Sequence, residues 1–220
     1  MKANSERVRG KNFRDLAGKP LFRWVLDSLL EVPAIDQVVI NTDAREILAG
    51  AGLVSGGRVL VRDRKSEICG DFVSMNLVLA DDVAEVESDI YLMTHTTNPL
   101  LPASTIGDAL GKFAVMLGAG SHDSMFSVNK VQTRFYRQDG SAVNHDPANL
   151  VRTQDLEPWF EENSNFYLFT RDSFLGTSAR IGKRPAMYDM RRIESVDIDD
   201  ADDWAVAEAL AKSLVAGGSK

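Results

Sequence analysis

Apolar and polar positions change their spacing several times along the chain, between a helical period of about 3.6 residues and the period of two seen in strands. The apolar residues from Leu21 to Leu30 lie on one helical face, and the β-branched run over 37–42 is typical of a short strand. The pattern predicts helices over 21–31, 43–51, 73–83, 105–117 and 201–215, and strands over 37–42, 58–62, 89–94, 125–130, 133–137, 165–170 and 195–198.

The alternation of strands with helices indicates parallel βαβ units. We therefore expect an α/β fold with an open, mostly parallel twisted sheet, helices on both faces and one domain over 1–220. A hairpin-rich excursion near 130–160 interrupts this order, with Asp139-Gly140 as its turn. Ligands of such sheets bind beyond the carboxyl ends of the strands, so the loops after Thr42, Arg62 and Thr94 are the first places to look for a site.

Composition excludes several classes of function. The chain of 220 residues has a formal net charge of −7, which disfavours general binding to nucleic acid or to an anionic membrane. No apolar run approaches the length of about 20 residues that a membrane span needs, and no signal peptide is apparent. Cys69 is the single cysteine, so no intrachain disulfide can form, and we expect a cytoplasmic protein.

The first fourteen residues are basic although the protein as a whole is acidic. Clustered cations interleaved with short hydrogen-bonding residues suit a polyphosphate, whose oxygens need both positive charge and N–H donors. The alternative is a solvated terminus with no binding role. The segment contains Lys2, Arg7, Arg9, Lys11 and Arg14 against Glu6 alone.

Acidic residues are concentrated between positions 194 and 203, with no cation among them. If 195–199 is extended, the side chains of Asp197 and Asp199 project to one face and their carboxylates can converge on Mg²⁺. The alternative is that the cluster caps the last helix, with Asp199 or Asp200 at its N-cap. His95 directly follows a predicted strand and is the most interesting of the three histidines, although a loop histidine is more often structural.

The order of these segments resembles the acylneuraminate cytidylyltransferase family over nearly the whole chain. Members carry a loop of lysines, serine and asparagine before Gly-Lys-Pro-Leu, and they end on Asp-Ile-Asp. The matching segments here are Lys2, Ser5, Lys11-Asn12, Gly18-Lys-Pro-Leu21, Asn41-Thr-Asp43, Arg64 with Asp71 and Ser74, His95-Thr-Thr-Asn-Pro-Leu100, Arg152-Thr-Gln-Asp-Leu156, Asn163 to Tyr167, and Val196-Asp-Ile-Asp199.

This resemblance implies that CMP moves from CTP to a sialic-type or related 2-keto sugar acid and that pyrophosphate leaves. It implies a Mg²⁺ ion on Asp197 and Asp199, with Lys11 and Asp199 as catalytic residues. It also implies a homodimer, formed through an excursion over 124–165 that takes part in dimerisation or substrate binding. The implied CTP-binding residues are Lys2, Ser5, Lys11, Asn12, Arg64, Ser74 and His95, and those for the sugar acid are Arg152, Gln154 and Asn163.

The sequence departs from the family pattern at several positions. Lys2 replaces an arginine, Glu6 a lysine and His95 a glutamine, and Glu161 stands where an arginine often serves the sugar carboxylate. The family's first strand precedes the phosphate loop, so we expect either an earlier start than Met1 or a sheet without that central strand. The alternatives are a CMP-KDO synthetase, another sugar nucleotidyltransferase, or a non-catalytic nucleotide-binding relative.

Overall fold

Helices and strands alternate through the computed structural model, which describes residues 1–3, 8 and 10–217, and the predicted α/β class is confirmed. The helices are α1 (Leu21–Glu31), α2 (Arg45–Gly50), α3 (Met75–Glu85), α4 (Ala103–Gly118), α5 (Arg171–Thr177) and α6 (Ala201–Gly217). The strands are β1 (Asp15–Leu16), β2 (Lys19–Pro20), β3 (Val38–Thr42), β4 (Val59–Asp63), β5 (Ile90–Thr94), β6 (Ser124–Val131), β7 (Trp159–Thr170) and β8 (Pro185–Asp189). Short 3₁₀ helices cover Lys11–Phe13, Ser66–Ile68 and Thr153–Asp155.

The main strands form mixed rather than uniformly parallel ladders. β3 pairs with β4 in parallel, and a four-stranded sheet has the order β5-β7-β6-β8. Within it β6 and β8 are parallel, whereas β7 runs antiparallel to both β5 and β6. The long connection from β6 to β7 returns the chain along the neighbouring strand without a crossover helix, and antiparallel pairing is the geometry such a return produces.

A cavity of about 1330 Å³ separates β3 from β5. Within the described residues these two strands are not hydrogen-bonded to one another, and each presents an edge to the cavity. Residues from α1, α3 and α4 also line it, including Phe22, Leu79 and Leu110. Met1 is among the lining residues, and the N-terminal amine donates a hydrogen bond to the Asn41 carbonyl. The cavity is therefore a channel between two strand edges, covered by helices and lined by both apolar and polar residues.

The apolar residues pack on both faces of the sheet. The face formed by α1 and α4 holds the largest cluster, in which Phe22, Phe113 and Phe166 are almost fully buried. The opposite face packs α3 and α5 through residues such as Val83 and Phe174. A third cluster joins α6 to the β1–β2 hairpin. In the described part of the chain, none of the helices combines the length and the apolar character that crossing a bilayer requires.

Several local predictions were wrong. Residues 133–137 form only an isolated bridge between Tyr136 and Ala142 instead of a strand, because Phe135 N–H bonds the Asn144 side chain rather than a neighbouring strand. Residues 195–198 form no strand either, since Ile198 makes one ladder-like bond, to the Thr97 carbonyl. Strand β8 and helix α5 were not predicted. Both are short, and neither has a length of apolar periodicity that a sequence window detects.

The connection over 132–158 is the predicted excursion. Its turn at Asp139-Gly140 is confirmed, with Gly140 at φ 82° and its N–H bonded to the Arg137 carbonyl. The Phe135 ring stacks on Trp159 with centroids 5.0 Å apart, which anchors the excursion to the start of β7. A role of this region in dimerisation stays a prediction.

Candidate active site

The N-terminal segment brings Lys11 to the acidic turn that precedes α6. Gly10 has a left-handed conformation (φ 63°) immediately before the 3₁₀ helix, which glycine adopts without strain. The Lys11 ammonium donates a hydrogen bond to the Ile198 carbonyl, and Nζ lies 4.0 Å from Asp199 Oδ1. Its side chain is only 10% exposed. Lys11 of the cationic segment and Asp199 of the aspartate pair therefore lie side by side.

Asn12 ties this segment to the loop that follows β5. Its amide nitrogen donates to the Lys2 carbonyl at 2.8 Å, and its amide oxygen accepts from the Thr96 hydroxyl at 2.7 Å. The Lys2 ammonium pairs with Asp71, 2.8 Å away, across the mouth of the same cleft. Ser5, also predicted to bind CTP, lies outside the described residues.

The helix start holds the acidic turn in place. Asp200 Oδ1 accepts hydrogen bonds from the N–H groups of Asp202 and Asp203, which confirms the predicted cap. Asp203 Oδ2 accepts in return from the N–H groups of Asp199 and Asp200. Such reciprocal capping satisfies donors at both ends of the turn. The cap thereby leaves the side chains of Asp197 and Asp199 out of the helix.

Asp197 carries an oxygen that the fold leaves unsatisfied. Its Oδ1 is buried and has no hydrogen-bond partner among the described residues. Burial is the main cause that raises the pKa of Asp197; the Thr97 side chain opposes it, the nearby Asp199 carboxylate raises the pKa further, and Lys11 lowers it slightly. Within the described residues no three acidic, histidine or cysteine side chains form a metal cluster. Two carboxylates, one with an orphaned oxygen, nevertheless fit Mg²⁺, which takes one or two protein carboxylates plus phosphate oxygens.

His95 follows β5 and is surrounded by positive charge. Burial, and to a smaller extent Arg180, the N-terminal amine and Lys11, together lower the pKa of His95 to about 4. The imidazole is therefore neutral near neutral pH and can donate one hydrogen bond and accept another. Such a group can recognise a polar edge of a ligand without adding charge.

The side chains of Arg64 and Ser74 are both engaged in hydrogen bonds within the protein itself. Arg64 donates through Nε and Nη2 to the side chain and carbonyl of Asn41, each at 2.9 Å. The Ser74 hydroxyl caps α3 by accepting from Asn76 N–H. Arg64 lines the cavity together with Lys11, Asn12 and His95. Its contact to the end of β3 fixes a positive charge at this edge of the sheet.

The residues predicted to bind the sugar acid lie elsewhere. Arg152 is exposed and forms a two-point pair with Asp155, at 2.7 and 3.0 Å. Gln154 is exposed in the same excursion, and its carbonyl accepts from Gln132. Asn163, buried in β7, donates to the Asn129 side chain at 3.0 Å. Among the described residues, none of the three predicted residues contacts Lys11, Asp197 or Asp199.

Sequence reasoning missed a cluster on the face of the sheet next to α3. It consists of Arg180, whose guanidinium lies 3.8 Å from the ring centroid of Tyr167, and of Glu162, which accepts from the Tyr167 hydroxyl. The strand pattern over 165–170 places Tyr167 on one face, but nothing in the sequence connects it with a loop that follows α5. Thr97, which bonds the Asp197 carboxylate, was missed in the same way.

Comparison with known proteins shows what the chain is similar to. Residues 1–215 match the family model described as Cytidylyltransferase. The chain is 29% identical over 216 residues to the N-acylneuraminate cytidylyltransferase of Oncorhynchus mykiss, covering 94% of this chain and 48% of that protein. It is 27% identical over 224 residues to the CMP-N,N'-diacetyllegionaminic acid synthase of Legionella pneumophila, covering 95% and 92%. The chain thus spans about half the length of the first of these relatives.

A similar fold occurs among solved structures. The CMP:2-keto-3-deoxy-manno-octonic acid synthetase complexed with CTP superposes with a TM-score of 0.64 at 17% identity, covering 99% of this chain and 96% of that one. At this identity the likeness concerns the fold alone.

Proposed function

Because the chain belongs to the cytidylyltransferase family, we propose that it transfers CMP from CTP to a nonulosonic (sialic-type) or related 2-keto sugar acid. One observation carries the proposal: the Lys11 ammonium lies 4.0 Å from Asp199 Oδ1, so a cation suited to binding phosphate lies beside a carboxylate suited to binding Mg²⁺. Displacement at phosphorus depends mainly on positioning and charge neutralisation, and this cleft offers groups for both.

In the proposed reaction the anomeric hydroxyl oxygen of the sugar acid forms a bond to the α-phosphorus of CTP. The bond between that phosphorus and the bridging oxygen breaks, pyrophosphate leaves, and the hydroxyl proton passes to a base. Lys11 and Asn12 would bind the phosphates, with Lys2, Ser5, Arg64 and Ser74 assisting. The neutral His95 would face the cytosine or the acceptor, which its single donor and single acceptor permit.

A Mg²⁺ ion is part of the proposal, held by Asp197 and Asp199. When bound, it would supply neutralisation of phosphate charge. The orphaned, buried Oδ1 of Asp197 supports this assignment, because an unsatisfied buried carboxylate oxygen is costly unless a ligand completes it. Lys11, beside the pair, limits their mutual repulsion before any ion binds.

The identity of the acid rests on the relatives, whose names give N-acylneuraminate and N,N'-diacetyllegionaminic acid. A CMP-KDO synthetase, or another sugar nucleotidyltransferase, is the related alternative.

Homodimerisation is proposed as well, supported by exposed apolar side chains in and beside the excursion, such as Leu150, Trp159 and Phe160. A cytoplasmic location is proposed because a chain with one cysteine forms no internal disulfide.

The test is release of pyrophosphate from CTP and Mg²⁺ with each of three acids: N-acetylneuraminate, N,N'-diacetyllegionaminate and 2-keto-3-deoxy-manno-octonate. We expect turnover with one of them and its loss in Asp199→Asn. Asp202→Asn is the matched control, since it makes the same charge change on the first turn of α6 and should retain activity. CTP binding by calorimetry without turnover on any acid would favour a non-catalytic nucleotide-binding protein and contradict the proposal.

A further inference from the structure

Arg180 occupies a fixed position in the loop between α5 and β8. Its guanidinium lies over the Tyr167 ring, 3.8 Å from the centroid, and its backbone N–H donates to Asn76 in the first turn of α3. The side chain is 22% exposed. Stacking on an aromatic ring and a tethered backbone hold the planar group in place without using its hydrogen-bond donors.

Most of those donors remain available. A guanidinium has five N–H groups. Within residues 10–217, its polar contacts are Nη2 to Glu162 Oε1 at 3.4 Å and Nη1 to the Met93 sulfur at 3.9 Å. The first is long, and the same carboxylate oxygen accepts from the Tyr167 hydroxyl. The second is weak because a thioether is a poor acceptor. A largely buried cation with unused donors is suited to an anionic ligand.

The guanidinium lies beside the cleft of the proposed phosphate site, because it contacts Met93, which lines that cleft. Met93 and His95 are two residues apart on and just after β5, so their side chains lie on one face of the sheet. Arg180 contacts Met93, and both Arg180 and Lys11 lie near enough to His95 to lower its pKa. The Met93 side chain therefore links Arg180 to the cleft that His95 and Lys11 also line.

An acceptor for the proposed reaction carries one permanent negative charge, its carboxylate. The cation that the resemblance implies for this acceptor, Arg152, is paired with Asp155, and Glu161 stands where the family often has an arginine. We propose that Arg180 binds the carboxylate of the acceptor sugar acid through paired N–H groups and thereby selects acids over neutral sugars. This inference rests on the proposed transfer of CMP to a sugar acid.

The main experiment compares Arg180→Gln with the wild-type chain on the active acid and on its carboxamide. The variant should raise the KM for the acid about tenfold or more, as expected for a lost hydrogen bond to a charged group. The affinity for CTP, measured by calorimetry, should stay the same. The preference for the acid over the carboxamide should disappear. Arg180→Lys should recover part of the affinity, because it keeps the charge but not the planar pair of donors.

Arg184→Gln is the matched control, because Arg184 lies in the same loop and donates to the Gly120 carbonyl. It should leave both KM values unchanged. An acid KM in Arg180→Gln no higher than in this control, or an equal loss of CTP affinity, would overturn the assignment. If no acid is turned over, binding of N-acetylneuraminate and its carboxamide is compared by NMR. If the wild type then prefers the acid over the carboxamide and Arg180→Gln loses this preference, the role of Arg180 in carboxylate binding is supported, although the proposed transfer reaction is not. Absence of acid binding to the wild type would overturn both.

Discussion

Replacing Lys11 with methionine is the most direct probe of the proposed phosphate site. Methionine keeps the apolar stem and removes the ammonium, which donates to the Ile198 carbonyl and lies 4.0 Å from Asp199. A hydrogen bond to a charged group contributes about 1.5–3 kcal/mol. Loss of one such contact to a phosphate therefore predicts about 10-fold to 100-fold weaker CTP binding.

The burial of Lys11 adds a second, independent expectation. Its side chain is 10% exposed, and interactions of buried charges are screened by salt much less than those of exposed ones. The ratio of the CTP dissociation constants of variant and wild type should therefore change little between about 0.05 and 0.3 M salt. If the ratio instead falls to near one at the higher salt, the interaction is screened by salt, and the CTP phosphates do not lie beside the buried Lys11 ammonium.

The assay is isothermal calorimetry with CTP, with thermal unfolding as a check on the fold. Lys19→Met is the matched control, since Lys19 pairs with Asp27 at 2.7 Å and is 35% exposed. It should bind CTP like the wild type. A CTP affinity in Lys11→Met within about twofold of the control would refute the placement of phosphate beside Lys11, because that difference is only a few tenths of a kcal/mol.

Three further predictions concern stability. Folding lowers the pKa of His95 from 6.5 to about 4. The contribution of His95 to the free energy of unfolding is therefore fully present above the unfolded pKa, and up to about 3 kcal/mol of it is lost as pH drops toward the folded pKa. In urea unfolding, the stability of His95→Gln should fall less with decreasing pH than that of the wild type. An equal fall in the two proteins would contradict this prediction. Gly182→Ala should cost about 1–3 kcal/mol, because its Cβ would lie 2.2 Å from Asp123 Oδ1, whereas Gly176→Ala meets open space and should be neutral or stabilising. Equal melting temperatures of the two alanine variants would refute the clash. A five-residue valine-rich segment fused ahead of Met1 should raise the melting temperature above that of a Gly-Ser segment of equal length, because β3 and β5 leave edges at the cavity; no difference would mean that the channel does not accept a strand.

The local elements were largely predictable because their signals lie within a few neighbouring residues. The apolar face of α1 follows from its own period, and Leu21, Phe22, Val25, Leu26 and Leu29 are all buried as that period requires. The cap of α6 follows from the preference of aspartate for helix starts. The prediction of a strand over 195–198 was wrong because the apolar residues of this segment are buried against α6 and the loop after β5, without a partner strand.

The sequence by itself determined the α/β class, most helix and strand positions, and the charged segments at the two ends of the chain. Tertiary structure alone decided that β7 runs antiparallel, that Lys11 is buried beside Asp199, that one Asp197 oxygen has no partner in the described chain, and that Arg180 stacks on Tyr167. The physical reason is separation along the chain. Helical periodicity and helix capping depend on residues that lie within one or two helical turns of each other. In contrast, Lys11 and the Ile198 carbonyl are 187 positions apart and meet only when the whole sheet has assembled.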